Sequence, residues 1–344
     1  VTPPDRSTRA GRELATLDGL RGIAAFAVAL MHFSALAPHA YLAVDLFFVL
    51  SGFVLEHAYG ARLAGGWPPL RFMARRIRRL YPLYAVSLLL CVAAVGGALL
   101  LGRGSGWTWG RLLPAAAAGA VMAPFWSPTG FLYPLNFPAW TLLAELLANL
   151  AYALAYRRLT VRVLTVWTVA FALILAALAG RQGSLNAGDL WPTAYVGLAR
   201  VAFAFPAGVL LRRLIAPGAA PSLPAWAGAA VLPAAAVALY GSGLGLPAWA
   251  WDLPIALIAW PALIAVGARA EVSGILRPAA IALGAVSYGA YVTAIPLFVG
   301  VHAVLRSRGL DGDILPWPQA LAFCVGLFGL ALAIRYATRG LRPI

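Results

Sequence analysis

Apolar runs of membrane-spanning length recur along almost the whole chain, and short clusters of arginine flank them. The runs lie near residues 17–37, 41–60, 80–101, 112–126, 138–156, 161–179, 191–211, 225–241, 250–268, 279–303 and 317–337. A helix needs about 20 predominantly apolar residues to cross the hydrocarbon core of a bilayer. Lipid admits only structures that satisfy their own backbone hydrogen bonds, so a chain made of such runs is expected to fold as an all-α, polytopic bundle. Charged residues make up only 11% of the 344 residues, where a soluble chain carries about 25%. We therefore expect a single transmembrane domain over 17–338, a basic N-terminal arm at 1–16 and a short tail at 339–344. No internal repeat stands out.

The net charge of +15 comes from arginine, without any lysine. Because the arginines sit beside apolar runs, they read as topology signals and not as a nucleic-acid surface. They also test the number of crossings. If residues 112–126 span the membrane, Arg157, Arg158, Arg162, Arg212, Arg213, Arg269 and Arg277 all fall outside. If that segment is instead re-entrant or lies on the surface, every one returns to the cytoplasm. The segment is also short and crowded by Pro114, Pro124 and Pro128, which do not favour a continuous helix. The expectation is about ten crossings with both termini cytoplasmic, in a bacterial inner membrane, the first span being retained and not cleaved after Ala37. Cys91 and Cys324 fall inside apolar runs and read as small packing residues.

Ionisable residues inside such runs cost about 2.5–3.5 kcal/mol on insertion scales, so each asks for a partner or a task. In LDGLRGIAAFAVALMH, residues 17–32, Arg21 and His32 are eleven positions apart and share one helical face. They are separated by about 16 Å along the axis. Asp45 and Glu145 enter from the outer side on two other runs and are expected near the level of His32, with Asn149 one turn beyond Glu145. A histidine beside carboxylates is the usual equipment of a general base, one carboxylate fixing its tautomer. Arg200 lies mid-run and needs a counter-ion. Glu145 is the first candidate, which leaves Asp45 to orient His32; the pairing of Glu145 with His32 is equally open. At the inner surface, RFMARRIRRLYP (71–82) offers guanidiniums that either anchor the topology or grip phosphate. A phosphate-rich donor held there would reach His32 through a tether about 16 Å long, which is the reach of the pantetheine arm of an acyl-CoA. Arg21 and His32 would then mark the two ends of one donor channel.

Taken in order, LDGLRGIAAFAVALMH (17–32), VDLFFVLSGFVL (44–55), FMARRIRRLYPLY (72–84), PAWTLLAELLANLAYAL (138–154) and SYGAYVTAIPL (287–297) resemble the membrane-bound acyltransferase-3 family over nearly the full chain. The resemblance implies a ten-helix bundle that passes an acyl group, acetyl first among them, from cytoplasmic acyl-CoA to a hydroxyl of a glycan or glycan-like acceptor. The family's arginine-x10-histidine pair falls on Arg21 and His32, and its RxxR motif on Arg76 and Arg79 with Arg75 adjacent. Its tryptophan-to-glutamate motif falls on Trp140 and Glu145. Two positions depart from the pattern: Thr141 stands where serine is usual, and Ala294 where a histidine often precedes the proline.

On this reading His32, Asp45 and Glu145 are the catalytic candidates. Arg21, Arg75, Arg76 and Arg79 would hold the CoA phosphates, while Trp140, Asn149 and Arg200 would face substrate. No His/Cys/carboxylate cluster has metal-ligand spacing, so no metal is expected. Ser51 and Gly52 read as a close helix contact. The rival reading is a proton-coupled transporter of a polar solute that uses the same intramembrane residues.

Overall fold

The computed structural model describes residues 14–102, 106–215, 223–241, 245–307 and 315–337. Most of the expected N-terminal arm and the whole tail lie outside these residues, as do Arg103, Arg308, Asp311 and Asp313. Twelve α-helices are built from the described residues: α1 (Ala15–Phe33), α2 (Ala43–Ala64), α3 (Pro69–Leu100), α4 (Trp109–Ala120), α5 (Trp140–Ala155), α6 (Val161–Gln182), α7 (Ala194–Leu214), α8 (Ala225–Tyr240), α9 (Ala248–Pro254), α10 (Trp260–Arg269), α11 (Leu276–Ser307) and α12 (Trp317–Ala337). A π-helical turn at Ile255–Ala259 joins α9 to α10, so the two act as one span.

Nine segments among the described residues are long and apolar enough to cross a membrane, and α8 adds a shorter apolar helix of 16 residues. Segment α4 is different. Its 12 residues rise only about 18 Å, too little for a core about 30 Å thick. It leans on α3, where the Tyr84 and Tyr81 hydroxyls donate to the carbonyls of Gly119 (2.8 Å) and Ala120 (2.6 Å). The chain then leaves helical geometry at Met122, whose φ is 55°. The run at 112–126 is thus a short helix and a turn, not a crossing. Cys91 and Cys324 are both free and buried.

Hydrogen bonds near the helix ends define the two ends of the bundle. At the arginine-rich end, Thr16 Oγ1 donates to Ala270 O (2.7 Å) and Leu223 N to Arg269 O (3.2 Å). At the opposite end, His39 N donates to Leu239 O (3.3 Å), Trp249 N to Gly183 O (3.1 Å) and Leu315 N to Phe33 O (2.9 Å). Among the described residues, one antiparallel bridge there joins Phe131 to Leu190, tying the segment after α4 to the loop between α6 and α7.

Helix packing is closest where small residues let backbones approach, the usual device in lipid. The most extensive contacts are α1 with α11 and α2 with α7. In the first pair, a Cβ on Gly22 would lie 2.5 Å from Leu283 Cβ, and one on Gly284 2.6 Å from the Asp18 carbonyl. In the second, a Cβ on Gly52 would strike the carbonyl of Phe205, and one on Gly208 the carbonyl of Val49. The expected close contact at Gly52 is present. Replacing Gly208 by Ala therefore forces α2 and α7 apart, and we expect a loss of about 1–3 kcal/mol. The check is the melting midpoint of the purified protein in detergent, with exposed Gly180→Ala, which meets open space, unchanged.

Candidate active site

The buried charges sort into two groups, one toward each end. Nearer the arginine-rich end, Arg76 on α3 is only 5% exposed and its Nη2 donates to Glu145 Oε1 on α5 at 2.6 Å. Ser51 on α2 donates to the same oxygen at 2.8 Å. With its amide turned to suit these neighbours, Asn149 accepts from Arg76 Nε at 3.1 Å and donates to the Glu145 carbonyl at 3.3 Å. The spacing of Glu145 and Asn149 puts both on one face of α5, which is why a single guanidinium reaches both. Helices α2, α3 and α5 are thereby tied by one carboxylate.

Arg21 joins this level from α1. Its Nη2 donates to Asp18 Oδ1 (3.1 Å) and to Gly284 O (2.6 Å), and its Nε to Ser287 Oγ (2.9 Å). The glycine contacts between α1 and α11 bring those acceptors within reach. The Arg21 side chain remains 33% exposed and lies within electrostatic range of Arg79, Glu145 and Arg335. Arg79 is exposed, and Tyr288, whose hydroxyl donates to Leu80 O at 2.6 Å, is near both Arg76 and Arg79. Arg75 points elsewhere. One position along a helix is about 100° of rotation, and its guanidinium lies over the Trp67 ring at 5.2 Å.

Toward the other end, Arg200 on α7 is 1% exposed and forms a bidentate pair with Asp45: Nε to Oδ1 at 3.0 Å and Nη2 to Oδ2 at 2.8 Å. Its remaining donors reach the carbonyls of Ala187 (3.0 Å) and Tyr41 (2.7 Å). The guanidinium also lies 5.9 Å from the centroid of Trp140, a ring wedged so tightly that Cβ atoms on Gly188 and Gly197 would press on it at 2.9 and 2.7 Å. Burial pushes the nearby Asp189 carboxyl above its ordinary value, against the pull of backbone N–H groups and of Arg200. Asp45, not Asp189, is the counter-ion.

His32 occupies the last turn of α1 at this second level. Phe137 meets its ring edge-on, with centroids 4.9 Å apart, and Phe137 in turn stacks on Phe131 at 5.3 Å. Among the described residues its ring nitrogens have no hydrogen-bond partner.

Two expectations therefore change. Arg200 takes Asp45 and not Glu145, so Asp45 does not orient His32. Glu145 takes Arg76, so it does not orient His32 either, and it belongs to the level of Arg21 and not to that of His32. The physical reason is depth. Glu145 lies five residues into α5 from Trp140, about 7.5 Å deeper, and a carboxylate in a bundle settles on the nearest guanidinium. The expected arginine trio also divides, since Arg75 leaves it.

Several polar residues were missed. Ser51 is a ligand of Glu145 as well as a neighbour of Gly52, and Ser287 holds Arg21. Asp252, fully buried, accepts from the Tyr41 hydroxyl (2.7 Å), the Ser184 hydroxyl (3.0 Å) and Leu185 N (2.7 Å), with His39 Nδ1 at 3.8 Å. An acid inside the run 250–268 was the available signal. Thr141 Oγ1 lies 3.0 Å from the Tyr291 hydroxyl, so the retained hydroxyl links α5 to α11. Among the described residues no group of three or more His, Cys, Asp and Glu side chains is placed to hold a metal ion.

A family model described as an acyltransferase domain matches residues 14–336. Among curated proteins, "Protein 2 in picA locus" of Rhizobium radiobacter is 37% identical over 192 residues, covering 51% of this chain and 97% of that protein. "Acyltransferase MdmB" of Streptomyces mycarofaciens is 26% identical over 359 aligned positions, covering 93% of this chain and 88% of its own. No solved structure matches the chain.

The Arg200–Asp45 pair makes a direct prediction. Asp45→Asn leaves a buried guanidinium uncompensated, and we expect a loss of about 3–5 kcal/mol. The double change Asp45→Leu with Arg200→Met should recover much of it. Thermal denaturation of the three proteins in the same detergent measures both effects.

Proposed function

Since this chain belongs to the acyltransferase-3 family, its residues 14–336 matching the acyltransferase domain model, we propose that it transfers an acyl group from acyl-CoA to an acceptor hydroxyl. The donor is cytoplasmic acyl-CoA, acetyl-CoA first among them. The acceptor is a carbohydrate or glycan-like hydroxyl on the extracytoplasmic side of a bacterial inner membrane, and the arginine-rich end of the bundle faces the cytoplasm. The observation that carries this reading is the imidazole of His32, without a hydrogen-bond partner among the described residues, on one helical face with Arg21 and about 16 Å from it.

The imidazole nitrogen takes the proton of the acceptor hydroxyl as the oxygen attacks the thioester carbonyl. The tetrahedral intermediate then expels CoA thiolate, which recovers the proton from the imidazolium, and the products are an ester and CoA-SH. A two-step route through an acyl-imidazole balances equally well. Phe137 limits the tilt of the ring in place of a carboxylate. At the other end Arg79 and Arg21 supply positive charge for the CoA phosphates, and Arg76 presents whichever donors Glu145 and Asn149 leave unused. Glu145 is thus a positioning residue for Arg76, and Asp45 one for Arg200 and Trp140. Passage of the pantetheine arm between the two levels requires a channel along α1.

Two kinetic predictions separate these roles. Purified protein given labelled acetyl-CoA and an acceptor hydroxyl should release CoA, and His32→Gln should lower kcat by about 10²-fold or more with little change in KM for the donor. Arg79→Gln should act chiefly through donor KM, since the charge is used before chemistry. Wild-type protein that binds acetyl-CoA but releases no CoA with any hydroxyl acceptor would overturn the proposal.

A further inference from the structure

A second concave site lies at the arginine-rich end, apart from the residues assigned above. It is a cavity of about 360 Å³ between the α2–α3 turn and the end of α5, within the range of ligand clefts, roughly 300–1,000 Å³. Leu63, Pro69 and Leu154 give it an apolar side, and Leu154 is itself exposed on the flank of the bundle. Arg157 and Arg158 form the polar side, and among the described residues neither has an acidic partner. Trp67 stands at the edge with two more guanidiniums over its ring, Arg75 at 5.2 Å and Arg62 at 6.0 Å. The nearest acid on α2, Glu56, is already taken by Arg213 (2.8 Å) and by the Tyr152 hydroxyl (2.6 Å). Two guanidiniums therefore line a cavity whose wall carries no acid, and two more stand over the Trp67 ring at its edge, which calls for an anion.

Two features decide which anion. Tyr59 stacks on Trp67 at 5.8 Å and 12°, and the guanidiniums crowd the same ring, which leaves little of it for a nucleotide base. Phe72, fully buried, and Tyr152, 3% exposed, stand ring to ring at 6.1 Å between this cavity and the Arg76–Glu145 pair. The site is therefore walled off from the residues proposed to hold the donor, while its apolar side opens toward the lipid-facing flank. We propose that it binds the headgroup of an anionic phospholipid, with the phosphate on Arg157 and Arg158 and the acyl chains passing out over the exposed Leu154. Arginine forks suit phosphate oxygens, and basic pockets beside spanning helices are where acidic headgroups are held. The inference is independent of acyl transfer.

The test uses the full chain in nanodiscs of phosphatidylcholine mixed with phosphatidylglycerol, followed by native mass spectrometry of the lipid retained after extraction. Wild type should retain phosphatidylglycerol in preference to phosphatidylcholine. The pair Arg157→Gln with Arg158→Gln should weaken that preference roughly tenfold or more, while Arg157→Lys with Arg158→Lys should keep part of it. Arg162→Gln, an exposed arginine on α6 outside the cavity, should change nothing. Equal retention by wild type and the glutamine pair would overturn the site. So would an equal loss in Arg162→Gln, which would reduce the effect to diffuse surface charge. Loss of CoA binding in the glutamine pair with lipid retention intact would reassign the cavity to the nucleotide.

Discussion

A guanidinium fully sheltered from water among apolar helices is tolerable only if its charge and its donors are met. At Arg200 that demand is satisfied by Asp45 in a two-pronged pair and by two loop carbonyls. Much of the architecture at this end of the bundle follows from this one arrangement. The Tyr41 carbonyl fixes the start of α2, the Ala187 carbonyl fixes the loop before α7, and the ring of Trp140 is held beneath the guanidinium. Asp252 secures the same loop from α9 through Ser184 and Leu185. The bridge at Leu190 carries the restraint on to Phe131, and aromatic contacts carry it from there to Phe137 and His32.

The level nearer the arginine-rich end solves the same electrostatic problem in another way. Arg76 and Glu145 also pair, but through a single strong bond, with Ser51 and Asn149 completing the coordination. One carboxylate thus serves three helices. Under the proposed function the two levels divide the labour, since positive charge for the donor gathers at one and the unengaged imidazole waits at the other. What joins them is α1, whose packing on α11 depends on Gly22 and Gly284.

Much of this was legible in the amino-acid sequence. Hydropathy marked the spans because lipid leaves the backbone few choices, and loop arginines exposed 112–126 as a false crossing before Met122 showed where its helix fails. Periodicity put Glu145 and Asn149 on one face and Arg21 and His32 on another. Partner choice was not legible. Asp45 and Glu145 look alike along the chain, and only the relative depth of α2, α3, α5 and α7 decides which arginine each one meets. Arg75 and Arg76 are neighbours in sequence, yet one helical step sends the first to Trp67 and the second to Glu145. In the sequence Ser51 reads only as a packing residue, and Ser287 draws no notice, because a hydroxyl in an apolar run is ordinary until a charge is found beside it.

The bridge between Phe131 and Leu190 has an evolutionary corollary. It splices two connecting segments beside His32 into one unit, whereas the Arg76–Glu145 level is assembled from the faces of α2, α3 and α5. Loops drift far more readily than helix faces do. Under the proposed function, remodelling that region would recast the acceptor that approaches His32 while the donor end is kept, so descendants of one scaffold would diverge in what they modify sooner than in what they draw from.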